Sequence, residues 1–244
     1  MCESCDLISA SRRDFFSAAG LAVAGLVVGG LGASIATPAI AANSEKTLLS
    51  PDQALAALKE GNARYVANSQ VCASDLSNRR AKTATGQAPW ASILSCSDSR
   101  VPPELLFGGL GLGELFVARN AGNVVDTAVM GTLEYGAAVL GSPLIVVLGH
   151  ERCGAVAAAC DVVTKNATFP GSILPMIQPI LPAALAMQKQ GGDFVESTIR
   201  ESARRTAAKI VADSQIIAGL VASGKVKIVV ARYDLEEGAV EFIT

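Results

Sequence analysis

Cys96-Ser-Asp-Ser-Arg100 and His150-Glu-Arg-Cys153 concentrate two thiols, an imidazole, a carboxylate and a guanidinium in two short segments. His150 is the only histidine of the chain, and Cys96 and Cys153 are two of its six cysteines. Two thiolates and one imidazole fill three of the four tetrahedral positions that Zn²⁺ prefers and leave one for water. A closed structural site ordinarily has four protein ligands, often as paired CxxC knuckles, and no such pairing accompanies these motifs. The expectation is a catalytic zinc that acidifies water. Two thiolates cancel the formal charge of the metal, so it acidifies water less strongly than one held by three imidazoles, and a helper is wanted. Asp98, two residues beyond Cys96, is placed for that work. Two arrangements are open: Asp98 binds zinc as a fourth ligand in a closed state, or Arg100 holds it back to accept a hydrogen bond from water. The plainer alternative is an Asp98/Arg100 pair that only staples its loop.

Something must deliver these residues to one place. Ala91–Ser95 is a short apolar run ending at the first motif, and Leu115–Ala118 is a second such run. Leu144–Gly149 is nearly continuous and rich in β-branched residues, as expected of a strand buried on both faces, and it ends at His150. Cys153-Gly154-Ala155 then opens a helix to about Val163, so Cys153 sits where backbone N–H groups and the helix dipole favour a thiolate. Cys160, farther along that helix, reads as a small core residue. Upstream, Ser50-Pro51-Asp52-Gln53 has the form of a capping box with Pro at the first helical position. Residues 68–88 are polar and turn-rich and read as a surface run. A helix is expected from Asp126 through Leu140, and short helical turns over Phe169–Pro182. One or two long helices follow over Asp193–Ser223, with Glu196/Arg200 and Glu201/Arg205 at i,i+4. Val226–Ala231 and Ala239–Ile243 close as a hairpin about Asp234–Gly238. The fold class is therefore α/β: a mostly parallel sheet with an antiparallel C-terminal edge hairpin, flanked by helices, plus an N-terminal helical arm. Such sheets place sites at the carboxyl ends of their strands, where both motifs fall.

Half of the 244 residues are hydrophobic and the net charge is -2, which gives ample core and argues against nucleic-acid binding, since that leaves a basic stripe. Residues 1–41 read as an address: Ser11-Arg12-Arg13-Asp14-Phe15-Phe16, a Gly/Ala/Val-rich run from Ala18 to Ala36, then Pro38-Ala39-Ile40-Ala41. The paired arginines fit a twin-arginine export signal, which implies the export machinery as a partner and a periplasmic or otherwise exported destination. An uncleaved membrane anchor is the alternative. Residues 42–244 then form one domain. Cys2 and Cys5 make a CxxC ahead of the signal, without the context of a redox motif; Cys72 sits in a polar stretch, free or paired.

Together the motifs CSDSRVP, ELFVARNAGN, GTLEYG and VLGHERCGA resemble the β-class carbonic anhydrases, in order, from Gly61-Asn62-x-Arg64-Tyr65 to Tyr233-Asp234-Leu235-x-x-Gly238. The resemblance implies reversible hydration of CO₂ to bicarbonate and a proton, by attack of zinc-bound hydroxide. It assigns Cys96, His150 and Cys153 to one zinc per subunit and Asp98 and Arg100 to a catalytic dyad. Gln87, Phe116 and Tyr135 match substrate-pocket positions of the plant-like members; alone, the two aromatics would read as core and Gln87 as nothing. Ala121 stands where a larger apolar residue is common. Ile93 stands where the bicarbonate-inhibited subgroup has tryptophan, and Trp90 is nearer the N-terminus, so an open, active zinc is expected. Family members form dimers or tetramers with the pocket at a subunit interface. With no second histidine, buffer, water or a carboxylate must carry the product proton. Competing readings are a CS₂ or COS hydrolase on the same scaffold and a non-catalytic zinc-binding homologue.

Overall fold

The computed structural model describes residues 46–68 and 76–243. The expected signal, Cys2, Cys5 and Cys72 lie outside the described residues. Helix α1, Pro51–Ala67, begins with the expected reciprocal cap: Ser50 Oγ accepts from Gln53 N at 3.2 Å, and Gln53 Oε1 accepts from Ser50 N at 2.8 Å. Asn62 on its buried face ties three segments together. Its Nδ2 donates to Leu106 O and Gly238 O, and its Oδ1 accepts from Val240 N.

The polar run 68–88 is not wholly a loop, because α2 occupies Leu76–Thr83. It has no apolar stripe to reveal it in the sequence; Thr83 Oγ1 donates to Arg79 O, and Arg79 pairs with Glu114 at 3.1 Å. Strand β1, Ala91–Cys96, and the short α3, Pro103–Leu106, lead to β2, Leu115–Asn120. Asp126 caps α4, Thr127–Glu134, by accepting from Val129 N. The expected single helix to Leu140 instead ends in a π turn over Tyr135–Val139, where Leu140 N donates to Tyr135 O. Gly136 explains the close seat of that turn on the sheet: a Cβ there would lie 2.8 Å from Ser92 Oγ and 2.9 Å from Phe116 Cδ1.

Strand β3, Leu144–His150, is buried at every position. It is followed by α5, Gly154–Lys165; α6, Ile173–Ile177; a 3₁₀ turn, Gln178–Ile180; and α7, Leu181–Met187. The long helical stretch divides into α8, Phe194–Asp213, and α9, Gln215–Ala222, at Ser214, whose hydroxyl caps α9 by accepting from Ile217 N. The i,i+4 pairs form, Arg200–Glu196 at 2.9 Å and Arg205–Glu201 at 2.7 Å. Strands β4, Lys227–Tyr233, and β5, Val240–Ile243, close the chain as an antiparallel pair.

The sheet order is β2-β1-β3-β4-β5, parallel throughout except for β4–β5. Period-two alternation sorts its side chains. Ile93, Val146 and Leu148 pack with Leu58 and Phe107 on one face, while Leu94, Ile145 and Val147 pack with Leu133, Ala203 and Ile210 on the other. A third apolar cluster, Val124, Val156, Ile177, Ile180 and Ile199, gathers around Cys96 and Cys153. β1 and β3 are central neighbours running the same way, so their carboxyl ends emerge side by side.

Candidate metal centre

That adjacency makes the site. Cys96 ends β1, His150 ends β3, and Cys153 occupies the N-cap position of α5. Their ligand atoms all lie within 4.8 Å of one another, and all three residues are buried. The sulfurs are 4.0 Å apart, close to the ~3.8 Å that two Zn–S bonds of 2.3 Å at a tetrahedral angle require. His150 Nδ1 lies 2.9 Å from Glu151 O, which selects the Nδ1–H tautomer and leaves Nε2 as the lone-pair nitrogen. That Nε2 is fully buried and has no hydrogen-bond partner among the described residues. A buried acceptor left unpaired beside two sulfurs costs free energy unless a cation takes the lone pair, so the donor set fits zinc.

The thiols are tuned from several directions. The Cys153 S–H held against Cys96 pulls the Cys96 thiol down to about 4 against the opposing effect of burial, and the adjoining His150 ring and N–H groups at Gly122 and Asp98 act the same way as Cys153. The same contact and burial push Cys153 up, opposed by amides of Val156 and Ala155 at the start of α5. A divalent ion would replace the shared proton and favour both thiolates.

Asp98 stands apart from the three. Its Oδ1 accepts from the backbone N and Nε of Arg100, each at 2.9 Å, and its Oδ2 accepts from Arg100 Nη2 at 2.7 Å. Those hydrogen bonds hold the carboxyl well below the usual carboxylate range. Oδ2 nevertheless lies 3.9 Å from His150 Nε2, at the edge of the ligand cluster. Both carboxylate oxygens of Asp98 are thus held by Arg100.

Arg119 and Asn120 at the end of β2 and Gly122 in the turn after it do more than shape that turn. Arg119 Nε donates to Cys96 O at 2.9 Å and its Nη2 to Asp98 O at 2.7 Å, gripping the first motif from β2. Gly122 N donates to Cys96 Sγ at 3.4 Å. Gly122 has φ +83°, and a Cβ there would lie 2.6 Å from Ile180 Cδ1. Asn120 clamps the same loop through Val124 N and O. The signal that could have found them is register: Cys96 pairs with Asn120 and Ser95 with Arg119 on neighbouring parallel strands.

The three pocket residues lie elsewhere in the chain. Phe116 pairs with Ser92, four positions before Cys96 on β1, hence about 13 Å along the strand from the ligand. Tyr135 packs on Phe116 with ring centroids 6.1 Å apart and is 38% exposed. Gln87 is exposed just ahead of β1. All three belong to the amino ends of the strands, whereas the ligands stand at the carboxyl ends. Cys160 is buried with its Sγ 3.5 Å from Thr198 Oγ1, outside the ligand cluster.

Residues 91–240 match the family model described as carbonic anhydrase. The chain is 40% identical over 188 residues to carbonic anhydrase 2 of Mycobacterium tuberculosis, covering 77% of this chain and 90% of that one. It is also 40% identical over 191 residues to the carbonic anhydrase of Mycolicibacterium smegmatis, covering 78% and 92%. Among solved structures it superposes on the Coccomyxa β-carbonic anhydrase in complex with acetazolamide, with TM-score 0.61 and 27% identity over 78% of this chain and 86% of that one. A tetrameric β-carbonic anhydrase of Sordaria macrospora gives TM-score 0.60 and 26% identity over 68% and 87%. With the sulfurs, imidazole and carboxylate disposed as above, the chain belongs to the carbonic anhydrase family, in its β class of zinc enzymes that hydrate carbon dioxide.

Proposed function

We propose that this chain interconverts CO₂ and bicarbonate with Asp98 and Arg100 as the working dyad beside a zinc held by Cys96, His150 and Cys153. The observation that carries the reading is the orphaned Nε2 of His150 between two sulfurs, with a carboxylate 3.9 Å away that is committed to Arg100. Zinc, when bound, supplies Lewis acidity that brings the pKa of water toward neutrality. The protein supplies the rest. Asp98, kept anionic by Arg100, accepts a hydrogen bond from the attacking water and so aims its oxygen at the carbon of CO₂. Arg119 and Gly122 keep the Cys96 segment from shifting while charge redistributes. Val124 and Ile180 border the sulfurs with apolar surface, suited to an uncharged linear substrate. The reaction releases one proton per bicarbonate, and because His150 is the only histidine and is engaged, that proton leaves through water, buffer or a carboxylate.

Gln87, Phe116 and Tyr135 serve as pocket residues in an assembly, where a second copy brings its strand amino ends to the metal of the first. A homodimer or homotetramer is the reading; the half-exposed Tyr135 and Val139 favour it, and the Sordaria relative is tetrameric. Ile93 in place of tryptophan supports the plant-like subgroup. Residues 1–41 are read as a twin-arginine signal that sends the domain 42–244 to the periplasm; mature protein beginning at Met1 in a membrane fraction would replace that reading by an anchor.

Stopped-flow CO₂ hydration by the zinc-loaded protein, with CS₂ and COS as competitors, tests the activity. Rapid hydration with neither competitor consumed is the expected result. Preferential CS₂ or COS turnover would reassign the substrate, and no turnover of any of the three would leave a zinc-binding homologue.

A further inference from the structure

The geometry points to Glu151, the residue between two metal ligands in sequence but not itself one, as a positioning residue that sets the tautomer and aim of His150. The inference rests on His150 being a zinc ligand. Every polar group of Glu151 is engaged. Its carbonyl accepts from His150 Nδ1 at 2.9 Å, its N–H donates to Tyr233 O at 2.9 Å, and its Oε2 accepts from Leu235 N at 3.2 Å. Its Oε1 faces Arg152 Nη1 at 3.1 Å and Arg232 Nη2 at 4.0 Å. The side chain is only 21% exposed.

These contacts clamp one peptide carbonyl between β3 and the β4–β5 hairpin. The hairpin end is itself anchored. Arg232 reaches Asp234 Oδ2 at 2.7 Å and Glu196 Oε1 at 2.9 Å, Arg200 joins Glu196 to Glu241, and Arg152 reaches Glu236 Oε1 at 3.0 Å. Arg152 has φ +52°, in the left-handed region that a non-glycine residue keeps only where its surroundings hold it there. The Glu151 carboxylate meets the Arg152 side chain from the inner side and Glu236 from the exposed side. A metal-bound histidine depends on the partner of its other nitrogen for ring orientation and tautomer. Here that partner is a main-chain oxygen whose direction is fixed by the carboxylate of the same residue.

The test uses the full chain with its single histidine labelled with ¹⁵N, so that one imidazole reports without assignment. In metal-free wild type the spectrum should show the Nδ1–H form alone. Glu151→Ala should give a mixture of tautomers and weaken zinc binding by roughly 10–100-fold in chelator competition. Glu151→Gln, which keeps an acceptor oxygen for Leu235 N, should recover most of both. Glu236→Ala, which removes only the outer partner of Arg152, should change neither. A Glu151→Ala protein that melts earlier but keeps one tautomer and wild-type zinc affinity would overturn the proposal, leaving Glu151 a merely structural link. Zinc stoichiometry of the wild type checks the ligand assignment separately.

Discussion

Asp98 is the residue on which the proposed chemistry turns, and its environment makes a specific demand. Three hydrogen bonds from Arg100 keep it ionised far below neutrality, so its charge is constant wherever hydration is measurable. Asp98→Asn should keep zinc, because Asp98 is outside the ligand cluster. It should lose most turnover, by roughly 10²-fold or more as for a positioned proton-accepting group. Metal content and hydration rate on one preparation check both halves, and a fully active, zinc-replete variant would remove Asp98 from the mechanism. The Cys96, His150 and Cys153 cluster and the Asp98–Arg100 pair were legible in the sequence because a lone histidine and its two cysteines leave few ways to build a zinc site. Arg119 and Gly122 were not, since a side chain that grips another strand's carbonyls, or an amide that meets a sulfur, has meaning only after two strands are set side by side.

At the scale of elements, strand ends and helix caps were the readable part. The β-branched run of β3 and the Ser50–Gln53 box name their own structures. Helix α2 has no apolar face to announce it, and the π turn at Tyr135 follows from the close approach of Gly136 to Phe116 rather than from any local period. Asn62 shows how elements are locked once made. Asn62→Ala would strand Leu106 O, Gly238 O and Val240 N, at roughly 1–3 kcal/mol for each group left dry. Urea unfolding should show a loss of that order or larger. The β4–β5 hairpin carries a pH signature as well. Amides of the turn, led by that of Glu237, together with Arg232 lower the Asp234 pKa, and Arg200 lowers that of Glu241. Groups with depressed folded pKa values stabilise fully above their ordinary values, 3.8 and 4.5. They lose that contribution as pH falls through the folded values. The urea midpoint should therefore drop as pH is taken below about 4.5, and Glu241→Gln should flatten part of the fall. A midpoint indifferent to pH there would contradict the ion pairs.

At the scale of the molecule, the fold class and the site's place at the strand carboxyl ends followed from alternating strands and helices. The location of Gln87, Phe116 and Tyr135 did not, because one chain keeps them at the opposite end of the sheet and assembly is not written in any single segment. The absence of a second histidine has a kinetic consequence: hydration should speed up as buffer concentration rises, and flat kinetics across buffers would show an internal proton route. The ligands themselves come from two different strands and the helix after the second, so a bound ion fastens the sheet across its centre. Zinc at about 100 times its dissociation constant adds about 2.7 kcal/mol to the folded state, and stripping it should lower the melting temperature by about 5–10 °C. A polypeptide of this kind is most robust when its mineral rivet is driven home early, before the chain meets any compartment where loose sulfur is at risk.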